Sequence, residues 1–312
     1  MKTKHQDFEI VPFPKMRRVL SVMLRSAQRK NMMHGLVEMD ITIAHKYMRE
    51  YKARTGVSLS LTAFVVTCLA HAVDENKSVQ AYRKGKNQLI LFEDVDVTVQ
   101  VERKVVGQKE HAEAIVSTKS SQQNGHRSVN DQENYRVDTL FPYIIRAGNK
   151  KSFMEIHEEI RSAQKENIGS TLKYRALKWT ASLPIFMIVI FWRMLWWMIS
   201  RYPRLQKNYG GTVGVTAVGM FGKGGGWGIP TAAHTLDITI GGIGEKPVVV
   251  DGNLEIREYL NMTISMDHDV IDGAPATRFA SRLKELIEGG YGLIDQDSVS
   301  KRSNTSLMTD GK

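Results

Sequence analysis

Residues 266 to 279 read MDHDVIDGAPATRF. Just before them, Leu260, Met262, Ile264 and Met266 alternate with Asn261, Thr263, Ser265 and Asp267, the period-two pattern of a strand with one apolar face. His268 has the parity of the apolar set, so the pattern aims its imidazole toward the interior side where the strand ends. A partly buried imidazole stays neutral more readily and can accept a proton. Asp272 follows in a turn. Gly273 relaxes the backbone there, and Pro275 suits the first turn of a helix. Phe279, Leu283, Leu286 and Ile287 then recur at helical spacing, with Gly289 or Gly290 able to cap the end. Two readings of the histidine stand side by side: a general base held by a turn, and a satisfied core histidine beside a helix-start aspartate. A lone His-x-x-x-Asp does not separate them.

Working outward, the chain has 312 residues, 42% of them hydrophobic, which is enough for a large core. Its net charge of +10 suits an anionic partner such as a phosphorylated cofactor, a nucleic acid or an anionic membrane face. Charge alone favours a solvated basic surface with no partner. The single cysteine, Cys68, rules out an intrachain disulfide and points to a reducing, cytoplasmic compartment. It lies in LTAFVVTCLAHAV, which reads as a buried helix, so packing is expected of it rather than nucleophilic chemistry. No Cys/His spacing for a metal is present, and the first residues lack the apolar core of a secretory signal.

The periodicity predicts a basic amphipathic helix over 15–30, a strand over 35–42, helices near 44–54, 59–73 and 152–166, and a strand over 94–102 in which Val95, Val97, Val99 and Val101 share a face. From 210 onward the chain is β-rich, with TLDITIGGIG, PVVVDGNLEI and LNMTISMDHD expected as strands separated by Gly- or Pro-containing turns. Residues 104–138 are polar and without period, and are expected to form a long mobile surface loop. SLPIFMIVIFWRMLWWMIS, 182–200, is the most apolar stretch. Three readings stay open for it: a buried or interface helix, a helix lying in a membrane surface, and a membrane span. The Gly-rich GKGGGWG, 222–228, reads as a hairpin loop beside the site more readily than as a phosphate cradle.

The full pattern Asp-His-x-x-x-Asp-Gly, followed by an Ala/Pro-rich helix start and Phe279, resembles the catalytic domain of the dihydrolipoyl acyltransferases of 2-oxo-acid dehydrogenase complexes. MRRVLSVMLRS, VEMDIT, FPYIIRAGNKKSFMEIHEEI and GGTVGVTAVGMFG resemble further segments of that family. The resemblance covers roughly residues 10 to 292. It implies an α+β fold like that of chloramphenicol acetyltransferase, a two-layer sandwich with a mixed β-sheet and helices on one face. An N-terminal arm over 1–9, a catalytic domain over 10–292 and a disordered tail over 293–312 are expected, with the polar insertion 104–138 and the Trp-rich helix 183–199 inside the domain.

The resemblance also assigns roles. His268 takes the proton of an acceptor thiol, Thr216 donates a hydrogen bond to the oxyanion, and Asp272 pairs with Arg17, or with Arg18, to hold the turn that aims His268. The family's site lies between subunits, so a homotrimer or an assembly of trimers is expected. Coenzyme A is the expected acyl-carrying substrate, with no metal. Ala217 departs from the family's usual Asn and leaves the acyl preference open. No lipoyl domain is expected ahead of Phe8, so the expected thiol partners are CoA, a lipoyl group on another protein, or another carrier. Lipoyl-carrier or dehydrogenase subunits, and a membrane surface met through 183–199, are candidate partners; a nucleic acid is not expected. A non-catalytic trimeric scaffold or membrane-associated assembly protein is the alternative. One half of a condensation-type amide synthase fits less well, because those carry two copies of the fold.

Overall fold

The computed structural model of the chain describes residues 21–22, 24, 30–85, 87–107, 135–165, 184–219 and 224–293. It divides into two compact units. The larger, 27–101, 140–165 and 197–312, carries His268, Asp272 and Thr216. The smaller comprises 1–26, 102–139 and 166–196.

A mixed sheet has the strand order β1 (Met32–Asp40), β8 (Asn253–Asp267), β7 (Leu236–Val250), β6 (Val213–Ala217), β4 (Val97–Gly107) and β5 (Tyr135–Ile145); 97–101 of β4 and 140–145 of β5 fall in the larger unit with the other four strands. β1, β8 and β7 pair antiparallel, while β7 with β6 and β6 with β4 pair parallel. A small hairpin of β2 (Tyr82–Lys84) and β3 (Gln88–Ile90) stands apart.

One face of the sheet is apolar. Val97, Val99, Val213, Val215, Leu236, Ile238, Leu260, Met262 and Met266 are buried in a single core with helices α2 (Leu61–Glu75), α3 (Phe153–Lys165) and α6 (Gly273–Glu288). α2 is apolar nearly all round, and ten of its fifteen residues are buried, so it is the central helix of the layer. Ser60 caps its start by accepting from the Ala63 N–H at 3.3 Å. Cys68 is fully buried on it, and burial raises the thiol's pKa far out of reach, as packing requires. α3 opens with a reciprocal capping box: the Ser152 N–H donates to Glu155 Oε2 at 2.7 Å, and the Glu155 N–H donates to Ser152 Oγ at 3.4 Å. α1 (Thr42–Thr55) ends at Gly56, whose φ of 74° is the left-handed closure glycine favours.

Two expectations are corrected. The three strands foreseen between 235 and 267 are two, each fifteen residues long. Gly241 and Gly242 form an irregularity between Ile240 and Ile243 rather than a turn. Pro247 is tolerated because β7 pairs with β6 only as far as Ile240, so one side of the strand needs no N–H there. The reversal falls at Asp251 and Gly252, both at positive φ. The polar segment 104–138 is also trimmed. β4 runs to Gly107 and β5 begins at Tyr135, while 108–134 lie outside the described residues. The N-terminal arm 1–9, most of the 15–30 helix and the tail from 294 onward lie outside them as well.

Candidate active site

At the end of β8 the chain leaves the sheet and turns. The Asp267 N–H donates to Thr235 O at 2.9 Å, and the His268 N–H donates to Asn31 O at 2.8 Å. The N–H groups of Val270 and Ile271 both return to Asp267 O at 3.0 Å. Alternation therefore stops at Asp267. His268 lies on the turn and is exposed in the isolated chain, not directed inward as its parity implied. Parity carries over only while the backbone stays extended.

Side chains that the sequence reading missed brace this turn. Asn31 Nδ2 donates to Asp269 Oδ1 at 2.9 Å, and Arg83 Nη1 stands 3.3 Å from Asp269 Oδ2. Lys30 lies 3.9 Å from Asp267 Oδ2. Burial lowers the Lys30 ammonium below its usual range, against the pull of the Asp267 and Asp237 carboxylates. Asp272 occupies the N-cap position of α6 with an extended backbone and no side-chain capping bond. Its expected partner Arg17 lies outside the described residues, as does Arg18.

Thr216 sits on β6, on the polar face of the sheet. Its row continues through Thr239 on β7 to Thr263 on β8. Thr239 and Thr263 are buried, and among the described residues their hydroxyls have no hydrogen-bond partner. The Gly-rich loop lies against the same face. The Gly242 N–H donates to Gly226 O at 2.9 Å, and a Cβ at Gly241 would meet that oxygen at 2.2 Å. This loop covers strands β7 and β8, so its glycines serve close packing of backbone on backbone. Residues 220–223 lie outside the described set.

Thr216 and His268 are far apart within one chain. They are separated by two strand spacings, about 10 Å, and by five residues along β8, about 16 Å, so their backbones stand roughly 19 Å apart. Neither side chain spans that gap.

Beside Thr216, one row along the same face of the sheet, lies a buried ionic network that no sequence motif announced. His234 Nδ1 is 2.7 Å from Asp237 Oδ1, and its Nε2 is 2.5 Å from Gly210 O. Asp237 Oδ2 accepts from the N–H groups of Ala233 and His234 at 2.9 and 2.8 Å. Burial alone pushes Asp237 upward, but His234 and these donors outweigh it and hold the carboxyl below its usual range. Burial likewise pushes His234 downward, and Asp237 with Gly210 O overcomes it, so the imidazole titrates above its usual range. Gly214, two residues before Thr216, makes room for the pair: a Cβ there would stand 1.9 Å from Asp237 Oδ1. Gly214→Ala is therefore expected to destabilise the protein by about 1–3 kcal/mol, read as a lower urea midpoint at unchanged slope. On the other side, Arg146 Nη1 donates to Asp96 Oδ2 at 2.8 Å and to Lys207 O at 3.0 Å. Asp96 O accepts the Thr212 N–H at 2.7 Å. The arginine of the FPYIIRAG segment thus fixes the entry of the chain into β6.

The six-stranded mixed sheet backed by helices is an α+β architecture. The family model described as "2-oxoacid dehydrogenases acyltransferase (catalytic domain)" matches residues 5–105 and 203–294, and the chain belongs to that family. Among curated relatives, the lipoamide acyltransferase component of the branched-chain alpha-keto acid dehydrogenase complex of Bacillus subtilis is 22% identical over 258 residues. That match covers 81% of this chain and 46% of the relative, so the chain spans about half its length. The dihydrolipoyllysine-residue acetyltransferase component of the pyruvate dehydrogenase complex of Zymomonas mobilis is 34% identical over 99 residues, 31% of this chain and 22% of the relative. The cubic core of a pyruvate dehydrogenase multienzyme complex shares the fold with a TM-score of 0.61 at 18% identity, covering 93% of this chain and 96% of that one. The same figures hold for a dihydrolipoamide acetyltransferase of Azotobacter vinelandii, solved to establish the role of a serine, a histidine and an asparagine in its catalytic mechanism.

Proposed function

We propose that this protein transfers an acyl group between thiols, with His268 as general base, in a site completed by a second copy of the chain. What supports the reading is the register, which puts Thr216 two strands from β8 and His268 beyond that strand's end, a separation of about 19 Å at ideal sheet spacings. An exposed base at one end of the sheet and a hydroxyl row on its polar face can meet only across an interface. A homotrimer, in which each chain lends His268 to its neighbour's Thr216, supplies that interface three times over. In the Azotobacter enzyme the serine, histidine and asparagine stand 52 and 4 positions apart, the same intervals as Thr216, His268 and Asp272 here.

The chemistry follows from these groups. The neutral imidazole of His268 takes the proton of the acceptor thiol, and the thiolate attacks the thioester carbonyl carbon. The carbonyl oxygen becomes an oxyanion and receives a hydrogen bond from Thr216 Oγ1. The tetrahedral adduct collapses, the donor sulfur leaves as a thiolate, and the imidazolium returns the proton to it. Asp272, at the N-cap position of α6 directly after the turn, is assigned the role of holding the turn that carries His268. Coenzyme A is one thiol partner, and a lipoyl group on a carrier subunit of a dehydrogenase complex is the other. The net charge of +10 suits the phosphates of CoA.

Acyl transfer from acetyl-, succinyl- and branched-chain acyl-CoA to dihydrolipoamide tests the reading. Thr216→Ala is expected to lower kcat about 100-fold with KM little changed, because the hydroxyl acts on charge that exists only in the transition state. Thr216→Ser is expected to keep most of the rate. Wild-type protein inert with every donor and acceptor would sink the enzyme and leave the scaffold.

A further inference from the structure

The stretch 182–200 contains one continuous helix, α4 (Ile185–Arg201), followed by α5 (Pro203–Gly210). Phe186, Ile190, Met194 and Trp197 fall on one stripe of α4 and are 62%, 64%, 62% and 68% exposed. Met187, Val189 and Met198 flank the stripe and are exposed too, whereas Ile188 faces away and is buried. An interior helix hides such a face, so the buried reading of this segment does not hold for these side chains. The spanning reading does not hold either. Seventeen residues rise about 26 Å, short of a hydrocarbon core of about 30 Å. Among the described residues no helix is long and apolar enough to cross a membrane.

The charges around the stripe choose its occupant. Arg193 lies within it and Arg201 at its end, and Arg204 follows on α5; all three are exposed, and no carboxylate pairs with them among the described residues. From 167 to 236 the sequence holds eight Lys and Arg residues and not one Asp or Glu. Packing the stripe against the same stripe of a second copy would bring these arginines against their own images, with no acidic residue between 167 and 236 to offset them. An apolar stripe edged by unpaired cations is instead complementary to acyl chains beneath anionic headgroups.

We propose that α4 lies flat on an anionic lipid surface, its apolar stripe in the acyl boundary and Arg193, Arg201 and Arg204 on the phosphates. The proposal stands independently of the acyl-transfer reading.

The test is co-sedimentation of the full chain with vesicles of phosphatidylcholine alone and of phosphatidylcholine with an equal part of phosphatidylglycerol. The chain is expected to sediment with the anionic vesicles at low salt, and to be released as salt rises. The double substitution Arg201→Ala, Arg204→Ala is expected to lower the partition coefficient about 30-fold. In wild-type protein, bromine-labelled lipid is expected to quench tryptophan fluorescence, since four of the five tryptophans lie between 179 and 197. That readout needs no variant and so no assumption about folding. Protein left in the supernatant with anionic vesicles overturns the proposal. A fall in native mass in Ile190→Ser, Trp197→Ser, without vesicle binding by the wild type, assigns the stripe to self-assembly and overturns it equally.

Discussion

Replacing His268 with alanine is expected to lower kcat for acyl transfer about 1,000-fold while leaving the fold intact. A positioned general base contributes roughly 10²–10⁴. Without it the acceptor must ionise unaided, and a thiol near pKa 8.5 is only a few per cent thiolate at neutral pH. The effect should therefore shrink as pH rises and solvent supplies the thiolate, so the ratio of wild-type to variant rate narrows between about pH 7 and 9. Stability should hardly change, because the imidazole is exposed on a turn held by backbone hydrogen bonds. Steady-state kinetics across pH, with thermal unfolding as the control, measures both. An unchanged rate in a folded variant would remove His268 from the chemistry.

The second large effect is on stability. Asp237→Ala is expected to destabilise the larger unit by about 3–5 kcal/mol, because it strands a buried imidazolium and two backbone N–H groups. Activity should fall with it, since the pair underlies the β6 and β7 positions that carry Thr216. The pH dependence has a definite sign. Asp237 lies below its ordinary 3.8, so its contribution is complete above about pH 3.8 and is lost as pH falls through the depressed value. His234 lies above its ordinary 6.5, so its contribution is complete below about pH 6.5 and is lost as pH rises through the raised value. The pair therefore stabilises most between these limits, and the gap between wild type and variant should close on the alkaline side. Urea unfolding across pH reads it directly, and a gap that widens with alkaline pH would contradict the ion pair.

The α+β architecture was legible in the sequence because its pieces are periodic. The valines 95, 97, 99 and 101 alternate and are all buried, and α6 was read from Phe279 to Ile287 as one face. Length was less legible, since Gly241, Gly242 and Pro247 read as breaks although a bulge and an unpaired strand side absorb them. The orientation of His268 was misread because parity says nothing about where an extended chain bends. The His234–Asp237 pair was missed altogether. HTLD carries no motif, and the signal that could have found it was Gly214, a glycine inside a strand, which marks a close approach. The exposed stripe of α4 was visible in sequence only as apolarity. Which side chains face solvent is set by tertiary packing, which periodicity does not encode.

The shared site is tested most directly by mixing two inactive chains. His268→Ala and Thr216→Ala subunits, unfolded together and refolded as mixed trimers, would join an intact His268 to an intact neighbouring Thr216 at about one interface in four. Activity near a quarter of wild type in the mixture is the expected result. Activity no greater than the average of the two parents, in trimers shown by mass to be mixed, would contradict a site assembled from two copies of the chain.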